Sequence, residues 1–117
     1  MFKQEWVRLK NRVIWSWSGI RGTWASERSF KFWVSVNIAS ISGVIVLDMT
    51  GGERALILAL GVLVLAAELG NTAIENAVDL AEPEKNPVAK LAKDAGSAAV
   101  ALTALACVVA WAATLIG

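Results

Sequence analysis

The 117-residue sequence has no histidine, no tyrosine and one cysteine, Cys107. Without histidine it lacks the commonest general base near neutral pH and the commonest imidazole metal ligand. A lone thiol excludes an internal disulfide and a cysteine-based metal cluster, and its place in an apolar run makes Cys107 a packing residue. Only two prolines occur, Pro83 and Pro87, so the rest of the chain is free of the strongest helix breaker. No short apolar run ending in small residues marks the N-terminus, so no cleaved leader is expected. Charge of one sign is also missing, because 11 Lys and Arg face 10 Asp and Glu for a net +1. Nothing in that balance points to a polyanion, and nucleic acid is not an expected partner.

What is present is apolar. Hydrophobic residues make up 56% of the chain, against about 45–50% in an ordinary soluble protein. Residues 32–47, 55–67 and 96–116 carry no charge. A helix crossing the hydrocarbon core needs about 20 residues, and runs apolar all round leave no polar face for water. The expected fold is therefore an all-α membrane protein, with spans over residues 30–48, 55–80 and 95–116. Seven Lys and Arg precede the first uncharged run and three lie between the second and third, but only Arg54 lies between the first and second. The positive-inside rule places the N-terminus and the loop after Leu80 in the cytoplasm. Gly51-Gly52 marks the outer turn, and Pro83 and Pro87 bracket the inner one.

Residues 4–28 mix basic side chains with Trp6, Trp15, Trp17 and Trp24. Indoles favour the headgroup level and cations favour anionic lipid, so this segment reads as an amphipathic surface helix, with a break expected at Gly19 or Gly22. A cytoplasmic helix packed on another protein is the alternative.

The second apolar run ends in a stripe. At about 100° per residue, Glu68, Asn71, Glu75 and Asp79 fall within an arc of about 80° on one helix face. Carboxylates in or near a membrane tend to face a polar site and mark function. So close together they repel unless a cation or proton intervenes, and Mg²⁺ suits oxygen ligands completed by phosphate. Beyond the loop, Asp94 is placed to cap the third span, and Lys93 beside it offers a point charge for phosphate. Phosphate loops and protein-kinase signatures are absent. Any nucleotide chemistry must rest on carboxylates instead.

The run Glu68-Leu-Gly-Asn71-Thr72-Ala-Ile-Glu75-Asn-Ala-Val-Asp79, followed by Ala92-Lys93-Asp94, resembles the signature of the prokaryotic diacylglycerol kinase family, which includes undecaprenol kinases. Ser18-Gly19-Ile-Arg21, Trp24, Glu27 and Phe30 resemble its N-terminal region. The resemblance spans about Arg8 to the C-terminus. It implies a homotrimeric helix bundle in a bacterial inner membrane, with active sites shared between neighbours, that phosphorylates a lipid alcohol with ATP and Mg²⁺.

By position, the resemblance makes Glu68 the catalytic base, Asn71 its orienter and Lys93 the neutraliser of the transferred phosphoryl group. Glu27 and Glu75 would hold Mg²⁺. Arg8, Trp15, Asp79, Glu84 and Asp94 would lie near the nucleotide, and Arg8, Arg21, Trp24, Phe30 and Ser97 near the lipid. Lys85 and Asn86 stand where the family usually has an aromatic residue and a histidine, and Trp15 where it often has tyrosine. The motif text mixes features of both kinase types. Diacylglycerol is the expected substrate and undecaprenol the alternative. A small ion-coupled transporter is a remote alternative, because Glu68 lies toward one end and the other spans carry no charge. A non-catalytic membrane subunit is another.

Overall fold

The computed structural model describes residues 1–117 as four helices and no strands: α1 (Phe2–Ser26), α2 (Arg28–Val46), α3 (Gly51–Ala81) and α4 (Pro87–Ile116). Helices α2, α3 and α4 are each long and apolar enough to cross a membrane. At 1.5 Å per residue the 31 residues of α3 extend about 46 Å. The hydrocarbon core is about 30 Å thick, so α3 and α4 are each longer than is needed to cross it.

Four local signals set the ends differently from the sequence reading. Helix α1 runs unbroken through Gly19 and Gly22, and neither glycine has a positive φ. The break falls instead at Glu27, whose extended backbone separates α1 from α2. Gly51 and Gly52 are not the outer turn but the first turn of α3. Its N-cap is Thr50, whose Oγ1 accepts from the Glu53 amide at 3.1 Å while Glu53 Oε1 accepts from the Thr50 amide at 2.8 Å. This reciprocal pair satisfies two orphan donors. Helix α4 starts at Pro87, well before residue 95, because Asn86 Oδ1 accepts from Val88 and Ala89. Proline at N1 loses no helical bond there. Asp94 is therefore not a cap but lies inside α4, where it pairs with Lys90.

Two polar ties hold the spans together. Asn37 Nδ2 on α2 donates to the Gly61 carbonyl on α3 at 3.1 Å. Trp111 Nε1 on α4 donates to Ser40 Oγ on α2 at 2.8 Å, and the Trp111 ring packs where a Cβ on Gly43 would stand. Val44, Ile57 and Ala110 form the small core beside it.

A single chain covers little of itself. Only 11 of 117 residues are buried, and the accessible surface is 8587 Å². A compact soluble monomer of 12.4 kDa exposes about 6,100 Å². The excess is apolar, including Leu63, Leu102 and Leu105, and suits contact with lipid or with further helices.

Candidate active site

The site gathers at the end of the bundle where the α1–α2 junction meets the second half of α3. Glu68 follows the thirteen apolar residues 55–67, about 20 Å along the helix from Ala55. Its side chain is only 4% exposed. A buried carboxylate without hydrogen bonds is costly, and here Ser29 Oγ, in the first turn of α2, donates to Glu68 Oε2 at 3.2 Å. One oxygen is thereby held. Thr72, one turn on, is buried beside it.

Asn71 does not reach Glu68 in a single chain. Its Nδ2 donates to Glu75 Oε1 at 3.0 Å, the i,i+4 neighbour on the same face. Its Oδ1 is buried without a partner and faces Gly96 of α4, where an added Cβ would lie 2.5 Å from it. The absence of a side chain at Gly96 is what admits the Asn71 amide between the helices.

Further along the stripe, Lys93 Nζ of α4 donates to Asp79 Oδ1 at 2.8 Å. Asp79, Glu84, Lys85, Lys90, Lys93 and Asp94 line one cleft of about 730 Å³ around the α3–α4 loop. Lys93 lies before the uncharged run 96–116, and its pKa is raised above the ordinary lysine value, chiefly by the Asp79 hydrogen bond and then by that carboxylate's charge. The ammonium therefore stays charged at any physiological pH. The cleft contains no aromatic ring. Asn86 lines it, but its carbonyl oxygen is committed to capping α4.

The surface helix meets the bundle at its last turn. Trp24 stacks edge-on against buried Phe30, with centroids 6.5 Å apart, and Lys31 Nζ lies 5.6 Å from the Trp24 ring. This clasp straddles Glu27, which is half-buried at the junction. A second cleft of about 600 Å³ opens between α1 and α3, with Ser16, Thr23, Ser26, Thr72 and Asn76 among its polar lining. Arg8 pairs with Glu5 at 3.2 Å on the exposed face of α1, and Trp15, Arg21 and Ser97 are exposed. The structure thus brings together Asp79, Glu84, Lys93 and Asp94, and separately Asn71 with Glu75. It gives Arg8, Trp15, Arg21 and Ser97 no hydrogen bond to the stripe.

Within one chain no group of three or more carboxylates has metal-holding geometry. Magnesium does not require one, since it is commonly held by one or two carboxylates with substrate phosphates and water completing the shell. The half-buried Glu75, with one carboxylate oxygen fixed by Asn71 and the other making no hydrogen bond, fits such a hard cation.

Ser29, Asn86, Thr23 and Gly96 were not marked as functional by the sequence. Asn86 before Pro87 carries a legible capping signal. Ser29 carries none, because its partner lies 39 residues away.

The chain matches the family model described as prokaryotic diacylglycerol kinase over residues 14–115. It is 41% identical over 112 residues to a diacylglycerol kinase of Pseudomonas aeruginosa, covering 94% of this chain and 89% of that one. It is 33% identical to the diacylglycerol kinase of Escherichia coli strain K12, over 90% and 86% of the two chains. An undecaprenol kinase of Bacillus subtilis is 32% identical, over 92% and 88%.

Proposed function

This chain belongs to the prokaryotic diacylglycerol kinase family, and we propose that it transfers the γ-phosphate of ATP to the hydroxyl of diacylglycerol, giving phosphatidic acid and ADP. The observation that carries the proposal is the buried Glu68 carboxylate directly after the uncharged run of α3, with one oxygen held by Ser29 and the other making no hydrogen bond. A membrane alcohol and a soluble nucleotide can meet only where an apolar run gives way to polar side chains, as it does along residues 68–79.

Glu68 takes the proton from the lipid hydroxyl as the hydroxyl oxygen attacks the γ-phosphorus. The bond from that phosphorus to the bridging oxygen breaks, and ADP leaves with the electron pair. Phosphoryl transfer depends on placement and charge neutralisation more than on covalent help. Glu27 and Glu75 would hold Mg²⁺, which neutralises phosphate charge when bound. Asn71 fixes the Glu75 carboxylate, and Lys93 supplies a permanent positive charge to the cleft in which Glu84 and Asp94 flank the nucleotide. Arg8 and Trp15 would reach the nucleotide from α1, while Arg21, Trp24, Phe30 and Ser97 border the lipid. The large exposed apolar surface of one chain supports a homotrimer in which a neighbour completes each site. The basic N-terminal helix supports placing α1 and the α3–α4 loop on the cytoplasmic side of the bacterial inner membrane.

The test is phosphoryl transfer from γ-labelled MgATP in mixed micelles, with diacylglycerol and undecaprenol supplied separately. Label in phosphatidic acid is the expected result. Undecaprenol is the second reading because of the Bacillus relative, and label in undecaprenyl phosphate alone would replace the first. Glu68→Gln is expected to lower turnover by about 10²–10⁴, the usual contribution of a general base. An active Glu68→Gln protein would refute the mechanism.

A further inference from the structure

We infer that Ser29 is a positioning residue for the reaction: its hydroxyl orients the Glu68 carboxylate so that Oε1 faces the lipid hydroxyl. The inference rests on the kinase reading above and deepens it.

A glutamate carboxylate rotates broadly about its last torsion. At 4% exposure the side chain keeps little contact with water, and what remains falls to Oε1, which is unpartnered but not sealed off. In the structure the hydrogen bond that Glu68 accepts is the one from Ser29 Oγ to Oε2, at 3.2 Å. That bond distinguishes the two oxygens, because Oε2 is engaged and Oε1 is left to accept a proton. Asn71, the amide nearest along the face, makes no hydrogen bond to Glu68, and its Nδ2 donates to Glu75.

The location of Ser29 adds to the argument. It sits in the first turn of α2, two residues beyond Glu27, where the backbone changes direction. Phe30, 3% exposed and packed against Trp24, pins that turn. The α1–α2 junction therefore carries a candidate metal ligand and the orienter of the base on one rigid corner. A catalytic group held this way keeps its geometry without help from solvent.

The experiment compares Ser29→Thr with Ser29→Val in the full chain, because the two side chains match in shape and differ in the hydroxyl. Ser29 is exposed in the chain, so both side chains have room. Initial rates with MgATP and lipid give kcat and both KM values, and thermal unfolding in detergent checks folding. Ser29→Thr is expected to keep kcat within about threefold of wild type. Ser29→Val is expected to lower it about tenfold or more, equivalent to about 1.4 kcal/mol, with both KM values changed less than twofold.

An activity-independent readout comes from infrared difference spectra against Glu68→Gln. The Glu68 carboxylate band is expected to shift in Ser29→Val and to stay in place in Ser29→Thr. Equal kcat for the Thr and Val variants, or a Glu68 band that Ser29→Val leaves unmoved, would overturn the inference. A rise in KM with kcat intact would also overturn it, by making Ser29 a substrate contact. A wild-type protein that phosphorylates neither lipid would remove the kinase reading, and the inference with it.

Discussion

Replacing Gly96 with alanine tests the coupling between α4 and the acidic stripe. The new Cβ would lie 2.5 Å from Asn71 Oδ1 and 3.4 Å from Ile74 Cδ1. The first distance is well inside van der Waals contact, so the amide must move. Moving it costs little in packing, since Oδ1 has no partner to lose. Alanine in place of glycine within a helix gains up to about 1 kcal/mol, so the unfolding temperature should stay near wild type. The amide is planar, however, and displacing Oδ1 carries Nδ2 away from Glu75 Oε1, to which it donates at 3.0 Å. A hydrogen bond to a charged group is worth about 1.5–3 kcal/mol. If that energy holds Glu75 in place for transfer, Gly96→Ala should lower kcat/KM by about 10- to 100-fold.

The assay is the mixed-micelle transfer reaction, with thermal unfolding alongside. The decisive comparison adds Asn71→Ala. In that background only the ordinary contact with Ile74 Cδ1 at 3.4 Å remains for the Cβ, and Gly96→Ala should cost little further activity. Wild-type activity in Gly96→Ala, or an equal loss in both backgrounds, would refute the reasoning.

Asn86→Ala should lower stability by about 1 kcal/mol through loss of the α4 cap, read as a fall in unfolding temperature with KM for ATP nearly unchanged. Trp111→Phe removes the donor to Ser40 Oγ while keeping most of the ring, and should destabilise by about 0.6–2 kcal/mol in detergent unfolding. Asp79→Asn should release Lys93. Because Asp79 raises the Lys93 pKa, the pair's stabilisation is full below the ordinary lysine value and fades as pH rises through the raised one. The variant should therefore lose part of the alkaline decline in stability seen in wild type, measured by unfolding between neutral and strongly basic pH.

Helical periodicity made the stripe legible. Glu68, Asn71, Glu75 and Asp79 share a face because of their spacing alone, and all four lie on α3. Helix limits were less legible where a cap outweighed composition. Thr50 with Glu53 drew Gly51 and Gly52 into α3, and Asn86 with Pro87 began α4 two turns before its uncharged run. The expected break in α1 failed for the opposite reason, since a glycine with open space around it can remain helical when nothing forces a turn.

The sequence by itself determined that the chain is helical, that three helices are apolar enough for a membrane, and that their polar residues concentrate on one stripe and one loop. These properties depend on the character of neighbouring residues and on the helical repeat. The tertiary structure decided which donor each carboxylate meets. Ser29 reaches Glu68, and Gly96 makes room for Asn71, only because α2, α3 and α4 sit at one particular rotation and depth. The ties from Asn37 to Gly61 and from Trp111 to Ser40 help fix that arrangement. No local periodicity encodes it, because apolar helices can slide and turn against one another with little change in their own hydrogen bonds.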